Sequence, residues 1–326
     1  MLPFISKKPR KKPVEQSPNA VVSAELYSQL SDLVAYRFHV KQKKLAHQNN
    51  LMSTSSGSHH ALRKGRGMTF SEVRQYQAGD DIRHIDWRVT ARTQKTHTKV
   101  FIEEHERPTI LVTEQSPSLF FGSQVRLKIN QALNLSAILA WTALNQNERV
   151  GGLTFNHHHQ VWVEPKRSQQ TLLNSLQSAI QMQSEIARPA KTSPSNWQSR
   201  LKQLAQTVKP GSKIFIIGDL LQLNATSLAT LQKLRRHNDV VALHVYDPLE
   251  KTLPELGWLG LTQQLHSDQH VKLDSAREKT RQSYAETYQT QWQAAYSAFL
   301  KMKIPFIEIS CHDNPLESLV LNKVIV

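Results

Sequence analysis

Cysteine is nearly absent: Cys311 is the only one in 326 residues. A single thiol excludes an intramolecular disulfide and fits a reducing compartment. It follows an expected strand, Pro305 to Ser310, and reads as a buried structural thiol rather than a nucleophile. Long apolar runs are missing too. The best stretch, Ala132 to Leu144, carries Asn134 and Ser136 and falls short of the ~18 residues a membrane span needs. Residues 1–13 are basic but lead into no apolar run, so no secretory signal is read there and a cytoplasmic location is expected. No Gly-x-x-x-x-Gly-Lys-Ser/Thr loop and no Gly-x-Ser-x-Gly elbow occurs, which removes a P-loop ATPase and an α/β-hydrolase nucleophile from consideration.

Acidic residues are outnumbered, 26 against 41 basic ones, for a formal net charge of +15. Residues 1–107 hold 19 basic and 10 acidic residues, the remainder 22 and 16. A basic excess at one end suggests an acidic partner protein, an anionic membrane surface or nucleic acid. Residues 1–20 read as a disordered basic tail, with Lys7, Lys8, Arg10, Lys11 and Lys12 among Pro3, Pro9, Pro13 and Pro18. Such a tail is either solvated or tethered to anionic lipid at the inner face of the membrane. Residues 21–60 read as an amphipathic helix, Val21 to about His47, and a Ser/Asn/Gly linker. Residues 61–107, rich in Gly, Arg and Asp, predict short strands and turns packed on the main domain.

Over 108–326 short apolar runs alternate with amphipathic segments. Strands are expected near 109–113, 150–155, 160–163, 213–217, 240–246 and 304–309, with helices near 125–144, 169–182, 197–208, 225–237 and 276–301. Strands separated by helices need crossover connections. The fold class is therefore α/β: a mostly parallel, Rossmann-type sheet with helices on both faces, plus an N-terminal helix and a loop and short-strand segment.

In an open α/β sheet, ligands bind beyond the carboxyl ends of the strands. The first expected strand ends in Glu114-Gln115-Ser116-Pro117-Ser118 and a later one in Gly218-Asp219. As neighbours they would bring Glu114, Ser116, Ser118 and Asp219 together, an oxygen set suited to Mg²⁺. This pattern resembles the metal-ion-dependent adhesion site of von Willebrand factor A domains, whose strand ends in Asp-x-Ser-x-Ser. The resemblance implies an A-like fold and Mg²⁺ as the cofactor to test. The chain departs with Glu114 at the first position, where one more methylene moves the carboxylate by ~1.5 Å. The family's threonine ligand is not assignable beyond Thr192. Both departures favour a degenerate site in which Ser116 and Ser118 cap the next turn.

A second resemblance lies upstream. Arg63-Lys64-Gly65-Arg66-Gly67-Met68-Thr69-Phe70, Val73-Arg74-Gln75-Tyr76 and Ala78-Gly79-Asp80-Asp81-Ile82-Arg83-His84-Ile85-Asp86-Trp87-Arg88-Val89-Thr90-Ala91-Arg92 stand in series. Phe121-Gly122-Ser123 and Arg149-Val150-Gly151-Gly152-Leu153 follow. Together they resemble family 58 of the domains of unknown function. That resemblance implies partnership with a MoxR-type AAA+ ATPase and with other von Willebrand factor A proteins, in the maturation or assembly of other complexes. Physically, Asp80, Asp81 and Asp86 interleave with Arg74, Arg83, Arg88 and Arg92 beside Trp87, which suggests a lattice of guanidinium–carboxylate pairs. The lattice would either stiffen a loop-rich segment or present a docking surface; a catalytic carboxylate pair is the third option. His157-His158-His159 reads as a hairpin turn rather than a zinc site.

Three functions are therefore carried forward: a non-enzymatic adaptor or assembly factor for such an ATPase, binding partners through the carboxyl-edge crevice of the A-like domain; a nucleic-acid-binding protein; and a Mg²⁺-dependent hydrolase. The adaptor is preferred. The basic sequence, with a pI near 9.9, contains no known nucleic-acid reader motif, and no nucleophile, base and orienting group can be named together.

Overall fold

Apolar side chains alternate along each central strand, and that alternation assigns every helix to one of two layers. The computed structural model describes residues 27–46, 68–103, 107–186, 197–255, 258–261 and 271–326. The basic tail, the start of the expected N-terminal helix, the 47–60 linker and Thr192 lie outside these residues.

Helix α1 (Leu30–His39) precedes strand β1 (Met68–Gln75), helix α2 (Trp87–Thr93) and strand β2 (His97–Glu103). The main domain continues with β3 (Thr109–Glu114), α3 (Lys128–Asn145), β4 (Val150–Phe155), β5 (Gln160–Lys166), α4 (Gln169–Ile186), α5 (Trp197–Thr207) and β6 (Lys213–Gly218). It closes with α6 (Ala225–Arg235), β7 (Asp239–Tyr246), α7 (Pro248–Lys251), β8 (Trp258–Leu261), β9 (Val271–Asp274), α8 (Glu278–Lys301), β10 (Phe306–Ser310) and α9 (Pro315–Leu321).

Six strands form one sheet in the order β10-β7-β6-β3-β4-β5. Every neighbouring pair is parallel except β4 and β5, which form an antiparallel hairpin. The His157-His158-His159 turn joins them, as expected. Leu111, Phe215, Ile217, Val241 and Leu243 bury one face of the sheet in a cluster with Leu33 of α1, α3, Leu172 and Leu176 of α4 and Leu319 of α9. Ile110, Val112, Ile214, Ile216, Val240 and Ala242 bury the other face with Trp197, Leu201 and Leu204 of α5, Leu231 of α6 and Phe299 of α8. Each such side chain contributes ~1.5–3 kcal/mol on full burial. Helix α3 is buried nearly all round, including the polar Gln131 and Thr142, as befits the central helix of a layer.

The Gly151-Gly152 pair has a packing reason. Strand β4 carries a register irregularity between Val150 and Gly152. A Cβ on Gly152 would lie 2.7 Å from the Leu111 backbone nitrogen, so only glycine lets β3 approach.

Three expectations need correction. Helix α1 ends at His39 rather than near His47, because the following backbone finds other partners: Lys44 N–H donates to Val326 O at 2.8 Å and Ala46 N–H to Val324 O at 3.0 Å. With Leu33 and Val40 in the core and Trp141 Nε1 donating to Leu33 O at 2.9 Å, residues 27–46 belong to the α/β core and are not a separate appendage. Segment 68–103 forms a two-stranded antiparallel sheet, β1 with β2, and its most extensive contacts are internal rather than with the main domain. The β8–β9 hairpin and helix α9 went unread in the sequence, being short and weakly periodic.

Candidate functional site

Strands β3 and β6 are parallel neighbours, with Thr113 opposite Ile217, and the strand order reverses between them. Their carboxyl ends therefore meet at the place where open α/β sheets bind ligands. Glu114, Ser116, Ser118 and Asp219 come together there, as their positions in the sequence predicted. Glu114 is 0 % exposed. One of its oxygens accepts the hydroxyls of Ser116 and, at 3.3 Å, Ser118; the other accepts the Asp219 N–H at 2.9 Å. The two serine Oγ atoms lie 2.8 Å apart. Ser116 makes no side-chain cap on the short 3₁₀ turn Pro117–Leu119, so the expected capping role of this serine is replaced by a bond to Glu114. The longer glutamate arm lies across Gly218, where an added Cβ would sit 2.7 Å from Glu114 Cβ. Glutamate and glycine at these two positions fit one another.

Asp219 accepts Gln222 Nε2 at 3.0 Å and Leu221 N–H at 3.4 Å. Its Oδ2 also faces Lys128 Nζ at 3.6 Å, and the same ammonium donates to Glu250 Oε1 at 2.6 Å. Lys128 opens α3 and is 0 % exposed. Burial disfavours its charge, but Asp219, Glu250 and Glu114 together outweigh that and hold its pKa above the usual lysine value. Burial and the nearby Asp219 push Glu250 upward, while Lys128 opposes them. Their 2.6 Å separation is that of a charge-assisted bond. His244 behaves differently. Burial takes its pKa down to about 4, so it is neutral, and its Nδ1 accepts Leu220 N–H at 3.2 Å.

Glu250 joins this group to a second one. Its Oε2 accepts Asp247 N–H at 2.9 Å, while Asp247 Oδ1 accepts Leu249 N–H at 2.9 Å, closing a capping box on α7. Asp247 also accepts the Ser123 N–H at 2.8 Å, the Ser123 hydroxyl at 2.8 Å and the Cys311 thiol at 3.0 Å. His312 Nε2 lies 3.0 Å from Ser123 Oγ and 3.4 Å from Asp247. Asp247, Cys311 and His312 place ligand-type atoms close together. Both Asp247 oxygens are already filled by protein donors, however, and burial with the Asp247 charge pushes the Cys311 thiol well up, so it stays protonated. Cys311 is the buried structural thiol its sequence suggested. Nor is this a relay: Asp247 faces the same imidazole nitrogen as Ser123 instead of orienting the ring from its far side.

Lys128, Glu250, Asp247, Ser123, His244 and His312 were not singled out as site residues from the sequence. Asp247-Pro248-Leu249-Glu250 does carry a capping-box signature, and Lys128 interrupts an apolar helix.

Mg²⁺ requires several oxygens aimed at one point in near-octahedral geometry. The residues here do not fit. Glu114 turns both oxygens toward hydroxyls and an N–H, and Asp219 faces an ammonium. At these strand ends Glu114, Ser116 and Lys128 are buried and Ser118 is half-buried.

Of the guanidinium–carboxylate lattice expected around Trp87, one pair is seen among the described residues. Arg74 clasps Asp80 through two bonds, 2.7 and 2.9 Å. Asp81 instead accepts Arg83 N–H at 3.0 Å, and Asp86 caps α2 by accepting the Arg88 and Val89 N–H groups at 3.1 Å. A short aspartate at a helix start satisfies backbone donors before any guanidinium. Among the described residues the guanidiniums of Arg83, Arg88 and Arg92 have no ion-pair partner; all three are exposed, as are Trp87 (68 %) and Ile82 (65 %).

The fold and this edge define an α/β protein with a mostly parallel six-stranded sheet flanked by helices, whose switch point is filled by a buried charged network. The chain belongs to the family described as protein of unknown function DUF58, whose model matches residues 72–294. It is 28 % identical over 204 residues to uncharacterized proteins of Mycobacterium bovis and Mycobacterium tuberculosis, covering 62 % of this chain and spanning 62 % of each relative's length. Among solved structures it is similar to the conserved hypothetical protein BatB from Bacteroides thetaiotaomicron, with a TM-score of 0.38 and 13 % identity over 67 % of this chain and 96 % of that one. A second likeness is to proximal thread matrix protein 1 of the mussel byssus, with a TM-score of 0.32 and 11 % identity over 43 % and 37 % of the two chains. No helix among the described residues is long and apolar enough to cross a membrane.

Proposed function

We propose that this chain is a non-enzymatic adaptor or assembly factor: an A-like domain with a degenerate metal site that works with a MoxR-type AAA+ ATPase. The ATPase partnership comes from the family resemblance. The observation that carries the adaptor reading is the exposure on segment 68–103 of two large apolar side chains, Ile82 and Trp87, each followed in the chain by an exposed arginine, Arg83 and Arg88, with Arg92 exposed one turn further along α2. Tryptophan and arginine are enriched at interface hot spots, and exposed arginines favour an acidic partner surface. We place the partner contact on this segment in preference to the carboxyl-edge crevice, where Glu114, Ser116 and Lys128 are buried. Support for the non-enzymatic part is indirect: the edge network satisfies its own carboxylates and leaves no nucleophile–base–orienter set aimed at a vacant point.

Association with a MoxR-type ATPase from the same genome, measured by co-purification with ATP, ADP and no nucleotide, tests the reading. Binding in at least one state is expected, weakened at least tenfold by Trp87→Ala with Arg88→Ala, on the order of 2 kcal/mol for a hot-spot residue. No association in any state removes the ATPase partnership. Salt-sensitive retention of random DNA would instead favour nucleic-acid binding.

A further inference from the structure

The charge at the sheet's carboxyl edge sorts into two kinds of carboxylate. Glu114 and Asp247 are surrounded by neutral donors: two hydroxyls and an N–H for the first; N–H groups, a hydroxyl and a thiol for the second. Hydrogen bonds to the charged form of a carboxylate favour that form. Asp219 and Glu250 have fewer neutral donors, and both face Lys128.

Lys128 itself has an unusual position. It is the first residue of α3, and a cation there sits at the positive end of the helix dipole. Its side chain has no exposed surface. Neither helix propensity nor solvation accounts for a lysine in that place; the carboxylates it reaches do. Its ammonium lies 2.6 Å from Glu250 Oε1 and 3.6 Å from Asp219 Oδ2, beside the strand end that carries Glu114, Ser116 and Ser118.

We infer that the Lys128 ammonium is the resident cation of this edge, occupying by a covalently attached charge the role that a divalent ion would have among Glu114, Asp219 and Glu250, so that the site is independent of metal. The inference does not rest on the adaptor reading. It concerns what balances the charge at the switch point, whatever the chain binds. It also explains why glutamate is tolerated at position 114: with a fixed ammonium nearby, octahedral geometry is not required, and the longer arm can turn inward to the Asp219 N–H.

Mn²⁺, a spectroscopic substitute for Mg²⁺, gives the test on the full chain. Titration of the native protein, followed by the EPR signal of free Mn²⁺, is expected to show no saturable site that both Mg²⁺ competes for and Asp219→Asn removes. Such a site overturns the inference. In Lys128→Ala the three carboxylates lose their cation, and a saturable Mn²⁺ site is expected to appear together with an ion-dependent rise in Tm that the native protein lacks. A folded Lys128→Ala that gains neither overturns the inference equally. Where Lys128→Ala does not fold, Lys128→Met is compared with and without Glu250→Gln. Recovery of the fold on neutralising Glu250 supports the charge-balancing role, and an identical loss in both chains overturns it.

Discussion

At the carboxyl edge, Lys128 meets Glu250 at 2.6 Å with no exposed surface on the lysine; in segment 68–103, Arg74 meets Asp80 at 2.7 Å with 37 % of the arginine side chain exposed. The two contacts have nearly equal lengths and opposite energetic weight. Water screens the second pair and would solvate either partner left alone, so its presence contributes little. The first pair has no such alternative, and removing one partner strands a charge in the interior. The same contrast separates the aspartates. Asp247 is buried and holds three chain segments together, whereas Asp81 and Asp86 cap short helices in an outlying segment.

The largest expected effect breaks the buried pair. Lys128→Met should lower unfolding free energy by ~3–5 kcal/mol in urea denaturation, because Glu250 and Asp219 remain behind without a cation. A loss below 1 kcal/mol would place the two pairs in one class and remove the distinction.

Acid titration sharpens it. His244 has a folded-state pKa of about 4 against an ordinary 6.5, so the unfolded chain binds the extra proton first as pH falls. Its contribution is fully present above pH 6.5 and is lost as pH falls from there to about 4, amounting to about 3 kcal/mol. Urea midpoints across this window should slope accordingly in the native protein and flatten in His244→Gln. Burial of the neutral ring produces this effect, so no equivalent slope is expected from the exposed segment.

Next comes Gly218→Ala, which forces a Cβ against Glu114 and should cost ~1–3 kcal/mol in the same assay. An alanine tolerated without loss would mean that the Glu114 arm does not depend on that gap. The smallest effect is Arg74→Ala, expected to cost ~0.2–1 kcal/mol and to fade in high salt.

Much of the fold was legible. Apolar runs located all six strands of the main sheet to within a few residues, most clearly β3, β4, β6 and β7, which are buried on both faces. That Glu114 and Asp219 each end a strand was legible too, but their meeting depended on those strands being neighbours, which the chain order leaves open and the fold supplies. The end of α1 was not, because its competitor is the C-terminal backbone, some 280 positions away. Nor was the real pairing of the arginines. Alternation of Arg and Asp suggested guanidinium–carboxylate contacts, but two of the three aspartates had nearer donors in the backbone.

What the sequence alone determined is the layering of the molecule and the set of oxygen atoms at the switch point, for both follow from periodicity and from which residues end a strand. Tertiary structure decided that Lys128 faces Asp219 and Glu250 there. Lys128 and Glu250 are separated by 122 residues, and only folding brings them within a hydrogen bond and strips away the water that would otherwise serve each of them.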